Sequence, residues 1–184
     1  EYAGVNLGLK RRVESGLDWL FGQVEEAIIL EDDCLPDATF FRFCDELLRR
    51  YRAEPRVMAI SGSDFTFGLN EDGSDASYFF SRYPLIWGWA TWRRAWRLHD
   101  PGMDGALEAI RTGWLESILD DPRAAAYWAY TLGENAAAPD TWDYGWLLSC
   151  WRHGGLSVHP KTNLVSNIGF GSGASHTHDQ RDAM

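Results

Sequence analysis

Three consecutive carboxylates, Glu31, Asp32 and Asp33, follow the short apolar segment 27–30. A buried strand has this apolar pattern, and open α/β sheets bind ligands at the carboxyl ends of such strands. Neighbouring carboxylates repel one another and are costly to desolvate, so a divalent cation is their simplest partner. Mn²⁺ and Mg²⁺ prefer hard oxygen ligands and commonly bind together with phosphate. The pattern predicts a metal-assisted enzyme acting on a nucleotide diphosphate, with a solvated acidic turn as the alternative.

The arrangement of these three acids depends on the backbone that carries them. In an extended strand, alternate side chains point to opposite faces. Glu31 and Asp33 would then share one side, and Asp32 would take the other. One acid could bind a metal while another contacts a ribose hydroxyl or an arginine.

Composition narrows the possible partners. The chain has 184 residues, enough to bury a proper core, and we predict a single domain over residues 1–184. A formal net charge of −10 argues against a nucleic-acid partner, because the phosphates would be repelled. Ten tryptophans could form a large rigid core or platforms for sugar rings.

The cysteines and the hydrophobic segments bear on location. Cys34, Cys44 and Cys150 form no CxxC or CxxH spacing, which disfavours zinc and is typical of reduced thiols in a cytoplasmic protein. No apolar run approaches the roughly 20 residues that span a bilayer, and no signal peptide opens the chain. We predict a cytoplasmic location, with peripheral association at the inner face of the membrane left open. The absence of an initiator Met predicts a fragment of a longer protein.

Helices and strands alternate in the first third of the sequence. Hydrophobic spacing predicts a helix over residues 5–23, followed by a strand over residues 27–30. Asp37 is a good N-cap for a helix that extends through residue 52, and Val57–Ser61 has the pattern of the next strand. This order predicts parallel strands in a layered α/β fold.

The remaining two thirds of the chain predict further strands and helices. The segment 86–92 is expected to turn into a helix that carries Arg93, Arg94, Trp96 and Arg97. A helix over Asp143–Arg152 is expected to end at the Gly154-Gly155 pair. The other predicted elements are a strand over Tyr78–Ser81, helices over 105–120 and 123–133, a linker over 136–139, a strand over 156–159, and a mobile Gly- and Ser-rich loop or tail over 167–184.

A family resemblance rests on segments that occur in order along nearly the whole chain. The chain resembles the nucleotide-diphospho-sugar transferases of the GT-A fold, and it is similar to the N-acetylglucosaminyltransferase I group and related bacterial glycosyltransferase-like proteins. This resemblance implies a GT-A-like (Rossmann-like), mostly parallel sheet flanked by helices. It also implies that the first strand, which holds the nucleotide base, would lie upstream of Glu1. The segments that carry the resemblance are 28–37 followed by Phe40 and Phe41, 81–92, 141–146, 154–160 and 169–173.

The resemblance implies roles for individual acids. Asp33 matches the family's direct Mn²⁺ ligand, with Asp32 near the ribose or a supporting base pair and Glu31 near the donor sugar. Asp143, in the segment 142–146, matches the catalytic base, and Asp140 is the fallback. From its spacing alone, Asp143 could equally be the N-cap of the helix that follows.

Two other regions are candidates for contacts with substrate. In the Gly-rich tail, which resembles a donor-covering loop, Ser172 or His176 could touch the diphosphate, and His176 and His178 also have a metal-like spacing. Gly88 could let the backbone approach an acceptor sugar while Trp87 or Trp89 stacks on it, or these aromatics could simply anchor a loop to the core. Arg82, Arg93 and Arg94 could contact phosphate or could be surface charges.

The function predicted at this point is a metal-dependent inverting glycosyltransferase that uses Mn²⁺ or Mg²⁺. It would move a sugar from a nucleotide-diphospho-sugar, such as a UDP-sugar, to a hydroxyl of a glycan or glycolipid. By analogy alone, the role would lie in bacterial polysaccharide assembly. The alternatives are a non-catalytic, Ca²⁺-assisted carbohydrate-binding domain, an inactive glycosyltransferase-like domain, and a glycoside hydrolase that uses Glu31 or Asp33 with Asp143.

Overall fold

The computed structural model describes residues 3–66, 75–137 and 140–169. Within these ranges the chain forms a mixed α/β structure. The predicted roles of Ser172, His176 and His178 fall outside the described residues. The elements, in chain order, are α1 (Leu9–Gln23), β1 (Glu26–Ile29), β2 (Cys34–Pro36), α2 (Ala38–Tyr51), β3 (Val57–Ser61), β4 (Tyr78–Ser81), β5 (Trp89–Trp92), α3 (Arg93–Trp96), α4 (Ala106–Arg111), α5 (Trp114–Ile118), α6 (Pro122–Ala137), α7 (Asp143–Arg152), β6 (Leu156–Pro160) and β7 (Val165–Asn167).

The main sheet has the strand order β1-β5-β3-β6-β4. Only the β3–β6 pair is parallel, and the other three pairs are antiparallel, so the prediction of a mostly parallel sheet is wrong. The helical connection from β1 to β3 does bring these strands back in the same direction, since both run antiparallel to β5. They are not neighbours, however, because β5 lies between them.

Strand β5 is the element that explains this difference. The segment before residue 93 was expected to turn directly into a helix, whereas Trp89–Trp92 is a strand and only Arg93–Trp96 is helical. All four residues of β5 are buried, because β1 and β3 flank it and helices cover both faces. A strand buried on both faces lacks the polar–apolar alternation that identifies a strand from sequence.

Local signals were more informative for the other elements. The predicted helix after Asp37 is confirmed as α2, and the Asp37 side chain accepts a hydrogen bond from the Thr39 backbone N–H at 2.8 Å. The strands predicted at Val57–Ser61 and Tyr78–Ser81 and the helix at Asp143–Arg152 are also confirmed. The helix predicted over 105–120 is interrupted, because Gly113 adopts a left-handed conformation between α4 and α5.

A second, two-stranded ribbon shares no strand pairing with the main sheet. Strand β2 pairs antiparallel with β7, and Cys34 lies opposite Asn167 in this pairing. Neither strand is predicted from sequence, since each has only three residues and their partners lie far apart in the chain. The ribbon begins directly after the three acids and so determines where they lie.

Hydrophobic side chains fill both faces of the main sheet. Helix α2 packs against one face, where Phe40, Ile60 and Trp92 are buried. On the other face, helices α1, α3 and α7 surround a cluster of four tryptophans, each no more than 3% exposed. This tryptophan cluster consists of Trp89, Trp96, Trp142 and Trp146, with neighbouring ring centroids 5.5–6.5 Å apart.

Candidate functional site

The three acids follow the end of β1 and form a turn rather than a strand. The Cys34 backbone N–H donates to the Glu31 carbonyl at 3.1 Å, which closes the turn before β2. Glu31 and Asp33 are half-buried, whereas Asp32 is exposed. The acids thus lie in a turn and not in the extended strand from which their arrangement was predicted, although Glu31 and Asp33 are still the two less exposed acids.

Glu31 shows that the acidic turn lies within electrostatic reach of a carboxylate from a distant part of the chain. Its pKa is raised to about 7, first by burial and then by the negative charges of Asp33, Asp143 and Asp32. Asp143 belongs to α7, so its charge acts on Glu31 from the start of that helix. Among the described residues, no Lys or Arg forms an ion pair with any of these four acids. The site accumulates negative charge that a cation would relieve.

Asp143 is the first residue of α7, and it does not cap the helix. The N-cap residue is Trp142, and no side chain makes a capping hydrogen bond there. Instead, the Thr141 hydroxyl donates to one carboxylate oxygen of Asp143. Trp142 stacks on Trp89 with ring centroids 5.6 Å apart, which ties the start of α7 to the tryptophan cluster. The fallback acid, Asp140, is exposed, and its negative charge helps to raise the pKa of Tyr144.

Asp33 contacts the ribbon through side-chain and backbone groups that sequence reasoning missed. The Asn167 side-chain amide donates to the Asp33 carboxylate at 3.3 Å, and the Ile168 backbone N–H donates to the Asp33 carbonyl at 2.9 Å. The Cys34 thiol donates to the other carboxylate oxygen at 3.6 Å, and burial raises the pKa of this thiol to about 11, so it stays protonated at neutral pH. Only knowledge of the β2–β7 pairing could have identified Asn167.

The donor set fits a hard divalent cation that arrives with phosphate. No group of three or more His, Cys, Asp or Glu side chains within residues 3–66, 75–137 and 140–169 forms a ready-made metal cage. Mg²⁺-type ions are usually held by one or two carboxylates together with substrate phosphates and water, so a complete protein cage is not required. Asp33, with Glu31 close by, supplies carboxylates of this kind.

The three residues predicted to bind acceptor occupy different environments. Trp87 is half-buried and packs edge-to-face against Phe65, with ring centroids 5.0 Å apart. Phe65 is 37% exposed and was not predicted. Gly88 has φ 65°, and a Cβ there would lie 2.6 Å from Val165, so the close packing of the protein itself requires this glycine. Trp89 is 1% exposed inside the tryptophan cluster, so it has no face to offer a sugar.

The three candidate arginines have structural partners. Arg94 donates to the carbonyls of Tyr51, Arg52 and Val57 and lies over the Trp92 ring at 4.4 Å. Arg93 pairs with Glu25 at 2.5 Å, and Arg82 donates to the Ile118 carbonyl. These contacts favour the surface and structural interpretation over a phosphate-binding one.

Comparisons with known proteins give no assignment: neither the models of protein families nor the curated proteins contain a match to this chain. In the described part of the chain, no helix combines the length and the hydrophobicity needed to span a bilayer.

The raised pKa of Glu31 makes stability depend on pH in metal-free protein. Since this pKa rises from an ordinary value of 4.5 to about 7 on folding, the native state binds more protons than the unfolded state between these pH values. Wild-type stability should therefore fall as the pH rises from 4.5 to 7, whereas Glu31→Gln should not show this loss. We expect Glu31→Gln to be more stable by about 1 kcal/mol at pH 8, since solvent screens this partly exposed group, and about equal at pH 4.

Urea unfolding in EDTA at pH 4 and pH 8 measures this difference. Asp45→Asn on the exposed side of α2 serves as a control for removing one negative charge, and this variant should keep the wild-type fall in stability between pH 4.5 and 7. Equal stability of wild type and Glu31→Gln at pH 8 would contradict the placement of Glu31 beside the other acids.

Proposed function

We propose that this chain is a metal-dependent glycosyltransferase that moves a sugar from a nucleotide-diphospho-sugar to an acceptor hydroxyl. The observation that carries the proposal is the raised pKa of Glu31, because Asp33 of the acidic turn and Asp143 of α7 both contribute to it, which supports a single site. The family resemblance assigns these two acids to the metal and to the catalytic base. A GT-A-like fold is part of the proposal and goes beyond the mixed α/β architecture described above.

In this proposal Asp33 holds the cation at the diphosphate end of the site. When bound, Mn²⁺ or Mg²⁺ would neutralise the charge that develops on the diphosphate leaving group. Asp33 suits this role because its hydrogen-bond donors, an amide and a thiol, are both neutral and leave its negative charge available. Asp32, which is exposed in the turn, would contact the ribose or a supporting base pair.

Asp143 takes the proton of the acceptor hydroxyl. Thr141 occupies one oxygen of its carboxylate, so the other oxygen is available to accept a hydrogen bond from the acceptor. A carboxylate that removes this proton as the hydroxyl attacks the anomeric carbon is acting as a general base. With a single base opposite the leaving group, displacement proceeds with inversion.

The negative charges of Asp33 and Asp143 both raise the pKa of Glu31. In metal-free protein a pKa of about 7 leaves a substantial fraction of Glu31 protonated near neutral pH, and a cation on Asp33 would lower this fraction. A protonated carboxyl can donate a hydrogen bond to a hydroxyl of the donor sugar, whereas an ionised one can only accept. Trp87 and Phe65, which form an aromatic pair with Phe65 partly exposed, are candidates for the acceptor sugar.

The same raised pKa favours one second candidate, a glycoside hydrolase. Such enzymes pair a carboxylic acid of raised pKa with a second carboxylate and need no metal. Glu31 would be the acid and Asp143 its partner. Hydrolysis of an aryl glycoside that persists in EDTA would support this candidate and contradict the glycosyltransferase.

Thermal unfolding in the presence of Mn²⁺ and nucleotide sugars tests the proposal. We expect one UDP-sugar with Mn²⁺ to raise the melting temperature by about 5 to 10 °C at 100 times its dissociation constant, because ligand binding to the native state adds about 2.7 kcal/mol. Neither Mn²⁺ alone nor the sugar nucleotide in EDTA should match this shift. Metal-dependent release of UDP from the same donor should accompany it.

Two aspartate variants make this test specific. Asp33→Ala should lose the shift, whereas Asp45→Ala, which removes an exposed carboxylate on α2, should retain it. No stabilisation of wild type by any nucleotide sugar, or equal stabilisation of Asp33→Ala, would contradict the proposed site.

A further inference from the structure

We propose that Asn167 is a positioning residue for Asp33, and that the β2–β7 ribbon orients the Asp33 carboxylate. This inference rests on the proposed function, since it concerns how the metal-binding acid is held. It adds a residue that neither the sequence pattern nor the family resemblance identified.

The ribbon brings two side-chain donors to Asp33 from opposite strands. Cys34 and Asn167 face each other in the register of β2 and β7. Cys34 Sγ donates to Oδ1 of Asp33 at 3.6 Å, and Asn167 Nδ2 donates to Oδ2 at 3.3 Å. Each oxygen of the carboxylate therefore has its own donor, and rotation of the Asp33 side chain would break both contacts.

The orientation of the Asn167 amide is itself fixed. Its Oδ1 accepts a hydrogen bond from the Gly169 backbone N–H at 2.7 Å, while its Nδ2 faces Asp33. An amide flipped by 180° would lose both bonds, because it would present an acceptor to the carboxylate and a donor to the N–H group. Asn167 thus connects the backbone at residue 169 to the position of Asp33.

Gly169 closes the same side of the carboxylate. A Cβ at residue 169 would lie 2.3 Å from Asp33 Oδ2 and 2.9 Å from Asp33 Cβ, so only glycine fits against Asp33 here. The ribbon side of the carboxylate is therefore occupied by protein atoms. A cation bound by Asp33 would therefore approach from the side opposite the ribbon.

The chemistry of asparagine suits a residue that supports a metal ligand. Lys or Arg in this place would neutralise Asp33 and compete with a cation, whereas a neutral amide orients the carboxylate and keeps its charge. Removing such a supporting hydrogen bond typically costs 10–100-fold in metal affinity or activity. The effect should therefore appear in the metal dependence of the reaction before it appears in the stability of the fold.

Metal titration of donor turnover tests this inference. In Asn167→Ala we expect the Mn²⁺ concentration for half-maximal turnover to rise 10–100-fold, with turnover at saturating Mn²⁺ within about threefold of wild type. Ser166→Ala, one residue away on the exposed side of β7, should match wild type in both quantities. A purely structural role would instead lower turnover and melting temperature together at every metal concentration. A half-maximal Mn²⁺ concentration in Asn167→Ala within twofold of wild type would overturn the inference.

A second measurement remains informative even if Asn167→Ala fails to fold. In ¹⁵N NMR spectra, the chemical shift of the Asn167 side-chain amide should differ between wild type and Asp33→Ala. In wild type, this amide signal should broaden when Mn²⁺ and UDP are added. An Asn167 amide that does not respond to Asp33→Ala overturns the positioning role. A different outcome is that the Asn167 amide responds to Asp33→Ala, but wild type shows neither Mn²⁺ broadening nor donor turnover. This outcome would establish the contact between Asn167 and Asp33. It would overturn the metal-dependent function and the role of Asn167 in it.

Discussion

Replacing Asp143 by asparagine is expected to slow sugar transfer about 10²–10⁴-fold, the usual contribution of a general base. Asparagine has nearly the same shape and keeps an oxygen that can accept the Thr141 hydroxyl, so the start of α7 should remain in place. The amide cannot take a proton from the acceptor. Donor binding, measured by the thermal shift with Mn²⁺ and UDP-sugar, should stay near the wild-type value because Asp143 acts on the acceptor.

The matched variant is Asp140→Asn, three residues earlier and exposed. Its transfer rate should stay within about threefold of wild type, since Asp140 acts on Tyr144 rather than on the acidic turn. Initial rates at saturating donor and metal separate the two variants. If Asp140→Asn lost activity and Asp143→Asn did not, Asp140 would be the base.

Replacing Trp146 by alanine is expected to destabilise the protein by about 3–5 kcal/mol, the usual cost of removing a buried Trp side chain. Trp146 is 0% exposed and contacts Trp89 and Trp96, with ring centroids 5.6 and 5.5 Å away. For a chain of this size the melting temperature should fall by roughly 10 °C or more. Because the same cluster holds Trp142 beside Asp143, transfer activity should also fall at temperatures where the variant is still folded.

Trp19 and a phenylalanine variant control for this result. Trp19 on α1 is 50% exposed, so Trp19→Ala should change the free energy of unfolding far less. Trp146→Phe should be milder than Trp146→Ala, because the ring is retained and because the Trp146 indole N–H, which has no acceptor among the described residues, is removed. Equal destabilisation by Trp19→Ala and Trp146→Ala would contradict the packing of this cluster.

Local sequence signals predicted the elements whose ends they mark. Asp37 fixed the start of α2, and the Gly154-Gly155 pair marked the end of α7. The order of strands could not be obtained in this way, because it depends on which distant segment fills the space beside β1. Strand β5 fills that space with four buried residues that have no alternation to reveal them.

In the candidate site, too, some residues could be predicted from local sequence and others only from tertiary pairing. The acidic turn and Asp143 were identified from residue type and family resemblance, and their mutual influence appears in the pKa of Glu31. The roles of Asn167 and Gly169 follow only from the pairing of two three-residue strands, which no local pattern predicts. Trp89 illustrates the opposite error, since a tryptophan near a conspicuous glycine suggested a sugar platform, but tertiary packing buries it completely.

The strand order also determines when the sheet can form as the chain is synthesised. Every pairing in the described residues involves β5, β6 or β7, so β1, β2, β3 and β4 have no strand partner among themselves. Among the described residues, β1 to β4 therefore have unpaired backbone groups until β5 and the strands after it are available. Contacts between residues so far apart in sequence form slowly. Within the described residues, the main sheet can therefore form only after Trp89–Trp92 becomes available to pair with both β1 and β3.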